Sequence, residues 1–374
     1  MRMDDDGKLD LDGDGVPDEV QECEAVLWEF HDLIFVLFMY YASLGSKDPN
    51  ASVIEYPMWV KFLDDFALYD KNSKRNKKSD LDRIFMQVDS LAAAALKADP
   101  ERKAQGGFHD DQIKALSRQE FIATIVMIAG NRYVQTGKMR DVSEAVHRLM
   151  AEDILPNVDP NIFVVSNVFR GHCYTEGCTK ALSKREAQLK MIFEGLNKGQ
   201  RGKEAQLLCL EEWKGFVVGL DFLGPDLTKR DAALCFVFSR CCVVDARNEK
   251  GQLKEINLPF EGFLECICRL AVLKALPTHA EIEAAGCSDA GAYQIKLKHE
   301  SPHGYRRFLE ERATRWGEEP KQPVAVCVEH LLTVIIRQIE DVTRGNDDLQ
   351  LTQGEVDQWI KERIHDKGLL LRIR

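Results

Sequence analysis

The sequence lacks any apolar run long enough to cross a membrane. Its longest such run, residues 33–42, is about half of the ~20 residues that a membrane-spanning helix needs. A secretory signal is also lacking, because the first residues are acidic, whereas such a signal begins with positive charge followed by an apolar stretch. We therefore expect no transmembrane segment and a cytoplasmic location.

Short motifs of the common catalytic and nucleotide-binding sites are lacking too. The sequence contains no phosphate-binding glycine loop, no GxSxG, no HExxH and no kinase signature. His172, Cys173 and Cys178 lie close in sequence, but a zinc site needs four ligands and no second pair stands at a suitable spacing. These absences predict a protein that is not an enzyme.

Excess charge is scarce outside the N-terminus. The net charge is −11, of which residues 1–24 contribute −8, from ten acids and two bases. The remaining chain is nearly neutral, which argues against nucleic acid as a partner. One basic run, Lys71–Lys78, has five bases in eight residues. It could contact an acidic partner or form a solvated loop.

What the sequence does contain is a repeated arrangement of helix and loop. Five segments share an apolar helix, a polar loop, one aliphatic residue and, four residues later, the start of a second amphipathic helix. Two of these starts carry a capping box, Ser117 with Glu120 and Thr352 with Glu355. Each segment thus contains a triad: the aliphatic residue, the residue four places later and the residue after that. The five triads are Ile54, Met58 and Trp59; Leu116, Glu120 and Phe121; Leu208, Glu212 and Trp213; Leu258, Gly262 and Phe263; and Leu351, Glu355 and Val356.

These triads resemble the EF-hand superfamily in a divergent form with many hands. In that family the aliphatic residue stands at loop position 8, where it pairs with a sister loop, and a glutamate stands at position 12. The resemblance implies an all-α fold of tandem EF-hand-like helix-loop-helix repeats arranged in paired lobes. The first copy would pair with the second and the third with the fourth, leaving the fifth over.

All five loops lack the oxygen ligands of a working hand. Calcium takes six to eight oxygen donors, supplied mainly from loop positions 1, 3, 5, 7, 9 and 12. Counting back from Glu120 places His109 at position 1, and the loop that ends at Glu212 begins with Arg201. Gly262 leaves its loop without a carboxylate at position 12. We therefore expect structural hands that bind no metal.

The N-terminus differs, because its spacing matches a calcium loop. Carboxylates two residues apart, with a glycine at position 6, bring their oxygens together around a cation. Two departures are Pro17 at position 8 and Gln21 at position 12. The alternative is a solvated acidic tail. The expected calcium ligands are Asp10, Asp12, Asp14, the carbonyl of Val16, Asp18 and Gln21.

The residues after this loop predict a packed helix. Val20, Cys23, Leu27, Phe30 and Ile34 recur at intervals of three and four residues. The predicted organisation of the chain is an acidic calcium-loop segment at 1–24, an EF-hand-like pair at 25–135, a linker and connecting helix at 136–180, a second pair at 181–275, an irregular insertion at 276–324 and a C-terminal EF-hand-like unit at 325–374.

The function expected from this organisation is protein binding. We expect a non-enzymatic calcium-binding protein that acts as an interaction scaffold or weak sensor, with a protein partner. The alternative is a calcium-independent structural component of the cilium or cytoskeleton. Calcium is the cofactor that the N-terminal loop implies.

Overall fold

Helices dominate the computed structural model, which describes residues 16–44, 53–98, 114–159, 166–199, 207–240, 249–343, 345 and 348–364. Among these residues 72% are helical and 2% lie in strands, so the fold is all-α, as the sequence predicts. The chain divides into two compact units, Met1–Phe163 and Val164–Arg374.

The first unit contains six described α-helices, two very short strands and three short segments of tighter or wider helix. The α-helices are α1 (Asp18–Glu29), α2 (His31–Ser43), α3 (Tyr56–Asp65), α4 (Lys78–Ala98), α5 (Arg118–Ala129) and α6 (Val142–Arg148). The strands are β1 (Ile54–Glu55) and β2 (Ala115–Leu116), which pair antiparallel. The other segments are π-helical at Gly130–Val134 and Leu149–Ile154 and 3₁₀-helical at Leu155–Asn157.

The apolar stripe that predicts one helix from Val20 to Ile34 is divided in the structure. Helix α1 ends at Glu29, α2 begins at His31, and their axes bend by 70° at Phe30. The bend separates a helix in which no residue is buried from one that is largely buried. Among the described helices none is by itself long and apolar enough to cross a membrane; α1 and α2 reach the required length and composition only as this bent pair.

Aromatic rings form the core of the first unit. Phe62 lies 5.8 Å from Trp59 and 5.3 Å from Phe121, measured between ring centroids. Phe121 in turn lies 5.9 Å from Phe38, and Trp59 lies 5.8 Å from Phe85. Because burying one such side chain stabilises the fold by roughly 1.5–3 kcal/mol, this cluster holds α2, α3, α4 and α5 together.

The second unit contains twelve described α-helices. They are α7 (Ser166–Cys173), α8 (Glu176–Ser183), α9 (Glu186–Leu196), α10 (Leu210–Gly219), α11 (Lys229–Ser239), α12 (Glu249–Ile256), α13 (Phe260–Leu273), α14 (His279–Ala284), α15 (Ala290–Glu300), α16 (Pro302–Arg312), α17 (Val324–Thr343) and α18 (Gln353–Arg363). A 3₁₀ turn, Asn197–Gly199, follows α9.

Helix α17 is central to the second unit. It packs against α8, α13, α15 and α18, and most of its residues are buried. An ion pair between Arg337 of α17 and Asp289, the N-cap residue of α15, has an N–O distance of 2.7 Å. Residues 276–324, which the sequence presents as an irregular insertion, contain the helices α14, α15 and α16.

Candidate functional site

The structure describes only part of the predicted calcium loop. Asp10, Asp12 and Asp14 lie outside the described residues, whereas Val16, Asp18 and Gln21 lie within them. Asp18 is the first residue of α1, and the N–H of Gln21 donates to the carbonyl oxygen of Pro17 at 3.3 Å. Side chains three apart on a helix are neighbours, so Asp18 and Gln21 can face one ion. Their carboxylate and amide oxygens are donors of the kind that calcium takes.

The described parts of the chain hold no cluster of three or more His, Cys, Asp or Glu side chains placed to bind a metal ion. Cys173 and Cys178 are both buried, and the Sγ of Cys178 contacts the carbonyl oxygen of His172 at 3.6 Å. These two residues therefore pack as small hydrophobes in the second unit. The N-terminal loop remains the predicted metal site.

In the first unit, β1 and β2 bring together two aliphatic residues that the sequence singles out. Ile54 lies opposite Leu116, and Glu55 lies opposite Ala115, in an antiparallel register. The side chains of Ile54 and Leu116 are fully buried. Two segments more than sixty residues apart in sequence are thereby joined by strand pairing.

The second unit contains a corresponding contact. Leu208 and Leu258 form an isolated antiparallel bridge, in which the N–H of Leu208 donates to the carbonyl of Leu258 at 2.8 Å and the reverse bond is 2.9 Å long. Both side chains are fully buried. The partners are again residues that the repeat pattern places at loop position 8.

The helix in each of the five segments begins two residues after the aliphatic residue, earlier than the four residues that the sequence pattern predicts. In each of the five segments the residue after the aliphatic one is the N-cap of the next helix: Glu55, Ser117, Cys209, Pro259 and Thr352. In the same five segments the residue four places beyond the N-cap is fully buried: Trp59, Phe121, Trp213, Phe263 and Val356.

Three glutamates at the predicted position 12 serve as backbone caps. A carboxylate oxygen of Glu120 accepts from the N–H of Ser117 at 2.5 Å, that of Glu212 accepts from Cys209 at 2.9 Å, and that of Glu355 accepts from Thr352 at 2.7 Å. A helix start leaves its first N–H groups unpaired, and these bonds satisfy one of them in each case. The glutamates thus have a structural use that requires no ion.

The basic run Lys71–Lys78 forms an ordered loop. Asn76 is buried, its side-chain amide donates to the carbonyl of Leu68 at 2.8 Å, and its own carbonyl accepts from the N–H of Asp70 at 2.8 Å. Lys71, Lys74, Arg75 and Lys77 are exposed around it, while Lys78 forms an ion pair with Asp64 at 3.3 Å. The exposed cations are therefore presented from a fixed backbone.

Sequence reasoning did not predict a surface groove in the first unit. The groove lies between α1 and α6, and we call it the α1–α6 groove. A capping signal, Asp141 with Glu144, marks the start of α6, and the Asp141 carboxylate accepts from the N–H of Glu144 at 2.8 Å. The α1–α6 groove has a volume of about 490 Å³ and is lined by Val26, Met139, Ser143, Glu144, His147, Arg148, Ala151 and Glu152.

Two π-helical segments contact α6, and one salt bridge links them. Arg132 of the first segment lies 2.9 Å from Asp153 of the second, measured from Nε to Oδ2, and the hydroxyl of Tyr133 also donates to Asp153. Burial, followed by this hydrogen bond to Asp153, raises the pKa of Tyr133. The segment Leu149–Ile154 supplies Ala151 and Glu152 to the groove. Single-turn π segments occur frequently at functional sites.

The assignment of function depends on this geometry, because known proteins give no second line of argument. No family model, no curated protein and no solved structure matches the chain.

Proposed function

We propose that this chain is a non-enzymatic, EF-hand-like calcium-binding protein that acts as an interaction scaffold or weak sensor. In this proposal the N-terminal loop is the metal-competent one. The five later helix-loop-helix segments are degenerate hands, four of which form two paired lobes. Helix α12 occupies residues 251–256, the first six positions of the fourth predicted loop, so this loop departs from the shape of a working hand.

The observation that carries the proposal is the pairing of the predicted position-8 residues. Ile54 pairs with Leu116 and Leu208 pairs with Leu258, which are the partners that the EF-hand resemblance implies. The repeat pattern predicts both pairings from the sequence, and this agreement supports the proposal.

The packing behind the two pairs is also similar in the two units. In the first, the centroid of Trp59 lies 5.8 Å from that of Phe62, which lies 5.3 Å from Phe121. In the second, Trp213 lies 5.9 Å from Phe216, which lies 6.2 Å from Phe263. The rings come from matching places in the repeat, so each pair of loops lies above an equivalent aromatic cluster.

The N-terminal loop supplies the calcium-dependent part of the proposal. Asp10, Asp12, Asp14, the Val16 carbonyl, Asp18 and Gln21 would hold the ion, which would neutralise closely spaced carboxylates. Asp18 and Gln21 belong to the first turn of α1, so calcium binding would stabilise the start of that helix. Helix α1 packs on α6, and this contact provides a path from the loop to the rest of the first unit.

Calorimetric titration of calcium into the full chain tests the metal-binding part, with magnesium present as competitor. We expect one calcium site that is lost in an Asp10→Ala/Asp12→Ala variant. An Asp4→Ala/Asp5→Ala variant is the control, because it removes the same charge outside the loop. No heat of binding in the parent chain, or equal loss in both variants, would overturn the calcium assignment.

A calcium-independent structural role in the cilium or cytoskeleton is the alternative, and the ordered basic loop favours it. The exposed cations at Lys71–Lys77 suit an acidic polymer surface. In this case a Lys74→Gln/Arg75→Gln/Lys77→Gln variant should lose salt-sensitive binding to polyglutamate. The matched control neutralises three exposed bases of the second unit, Lys180, Arg306 and Arg307.

A further inference from the structure

The floor of the α1–α6 groove is partly apolar and is formed by α1, by the segment before α6 and by the π-helical segment after it. Val26, Met139 and Ala151 form apolar parts of its lining. Ser143 and His147, four residues apart on one face of α6, and Ala151 of the π-helical segment that follows also line it. Eight residues of helix span ~12 Å, so the floor is about two helical turns long. An elongated and partly apolar floor of this kind suits a peptide segment better than a compact ligand.

Helix α1, on one side of the groove, is strongly acidic. Helix α1 carries five carboxylates and no base, and α6 adds Glu144 and Arg148. Arg148 is already paired, because its Nε lies 2.9 Å from the carboxylate of Glu152. The negative charge of this surface therefore exceeds its positive charge.

Carboxylates of α1 and of the α6 N-cap lie beside residues that line the groove. The hydroxyl of Ser143 and the N–H of Glu144 bond to Asp141 and hold its pKa below the usual range, so this carboxylate is ionised at neutral pH. On α1, a carboxylate oxygen of Glu22 lies 3.4 Å from the hydroxyl of Ser143, and one of Glu29 lies 3.8 Å from Nε2 of His147. The acidic field thus extends from α1 to the start of α6.

We infer that the α1–α6 groove binds a basic amphipathic helix of another protein. The apolar face of that helix would cover Val26, Met139 and Ala151, and its lysine and arginine side chains would reach Glu144 and the carboxylates of α1. Charge complementarity selects this occupant, since the same acidic rim repels nucleic acid and anionic lipid. The inference rests on the proposed function in assuming a protein partner, but it does not require calcium.

Fluorescence anisotropy with a labelled synthetic peptide tests this inference on the full chain. The probe is a lysine–leucine peptide of about 16 residues, with leucines at helical spacing, which is long enough to form a helix once bound. A peptide of the same composition in scrambled order, with no apolar face, measures attraction by charge alone. Phosphatidylcholine vesicles measure affinity for an uncharged lipid surface.

Two variants of the groove and one control variant locate the binding site of the peptide. Glu144→Gln/Glu152→Gln removes two exposed carboxylates of the groove, and Glu300→Gln/Glu319→Gln removes the same charge from exposed positions of the second unit. Met139→Asp places a charge on the apolar floor. Circular dichroism and thermal melting confirm that each variant is folded.

We expect the amphipathic peptide to bind. At low salt, Glu144→Gln/Glu152→Gln should weaken this binding about tenfold, whereas Glu300→Gln/Glu319→Gln should leave it unchanged. Met139→Asp should weaken it further. Equal binding of the scrambled peptide, equal loss in the two glutamine pairs, or no binding overturns the inference. Vesicle binding that Met139→Asp abolishes would assign the groove to lipid and would also overturn it. A failed calcium titration would contradict the proposed sensor role and leave this result standing.

Discussion

Leu208 and Leu258 each donate a backbone hydrogen bond to the other, at 2.8 and 2.9 Å, although fifty residues separate them. Their loops precede α10 and α13, which contribute Trp213, Phe216 and Phe263 to one aromatic cluster. The bridge therefore fixes the register of two helices at their N-terminal ends. Its loss would affect packing well beyond the two leucines.

Replacing Leu208 tests the backbone part of this contact. Leu208→Pro removes the donating N–H and should lower the free energy of unfolding by about 3 kcal/mol or more. Leu208→Val keeps the N–H and most of the apolar side chain, so it should cost only about 1 kcal/mol. Urea denaturation followed by circular dichroism measures both. Equal costs would show that side-chain burial, and not the hydrogen-bonded bridge, supplies the stability.

A close approach of α15 to α17 requires the glycine at position 291. A Cβ built there would lie 2.6 Å from the carbonyl oxygen of Thr333 and 2.5 Å from Cγ of Arg337. The backbone oxygen cannot move away without displacing α17. Gly291→Ala should therefore destabilise the chain by about 1–3 kcal/mol, as overpacking does.

Gly171 is the matched control for this substitution, because it also lies in a helix but has no atom within 4 Å of its built Cβ. Gly171→Ala should be neutral or stabilising by up to about 1 kcal/mol, since alanine favours the helix. The comparison requires thermal or chemical denaturation of both variants. If Gly291→Ala also proves neutral, the contact between α15 and α17 is looser than the structure indicates.

The buried ion pair between Lys274 and Asp226 predicts that removing one charge destabilises the chain more than removing both. Their charged atoms lie 2.8 Å apart, and neither side chain is more than 1% exposed. Burial lowers the pKa of Lys274, while Asp226 opposes this shift. Asp226→Asn would leave the ammonium without its counter-ion and should cost about 3–5 kcal/mol.

Adding Lys274→Met to Asp226→Asn should recover most of that loss, because no buried charge remains unpaired. The amide oxygen at position 226 could still accept from the N–H of Ala275, which now donates to Asp226 at 3.0 Å. Urea denaturation at neutral pH measures the three chains. A double variant no more stable than the single one would contradict this account.

His330 predicts a loss of stability in acid. Its Nε2 lies 3.4 Å from Nδ1 of His279, and burial, followed by the His279 charge, lowers its pKa. Glu329 on the same helix opposes this shift, and Glu329 itself pairs with Lys184 at 2.7 Å.

The direction of this pH dependence follows from proton binding. An unfolded histidine has a pKa near 6.5, so below that pH the unfolded chain binds a proton that folded His330 resists, and the free energy of unfolding falls as the pH drops. His330→Gln should flatten this dependence between about pH 5 and pH 7. His303→Gln changes an exposed histidine of the same unit and should leave it unaltered. If the free energy of unfolding varies with pH in the same way in the parent and in His330→Gln, His330 is not the group that causes the loss of stability in acid.

The sequence alone predicts much of this fold because its signals are local. Helical spacing and the capping residues Ser117 and Thr352 predict where helices begin, and the structure confirms both capping boxes. The aliphatic residues before these helices are buried in all five segments. For the candidate metal site, a contiguous set of carboxylates predicts the ligands, and the positions of Asp10, Asp12 and Asp14 stay a prediction.

Other features depend on residues that are distant in sequence, so only the tertiary structure decided them. The bend at Phe30 separates α1 from a continuous apolar stripe, and the link between Arg132 and Asp153 joins two π-helical segments. The α1–α6 groove arises where α1 meets a helix more than a hundred residues later. Local spacing determined which residues start helices and which face inward; the packing of distant side chains decided where helices break and where a groove stays open.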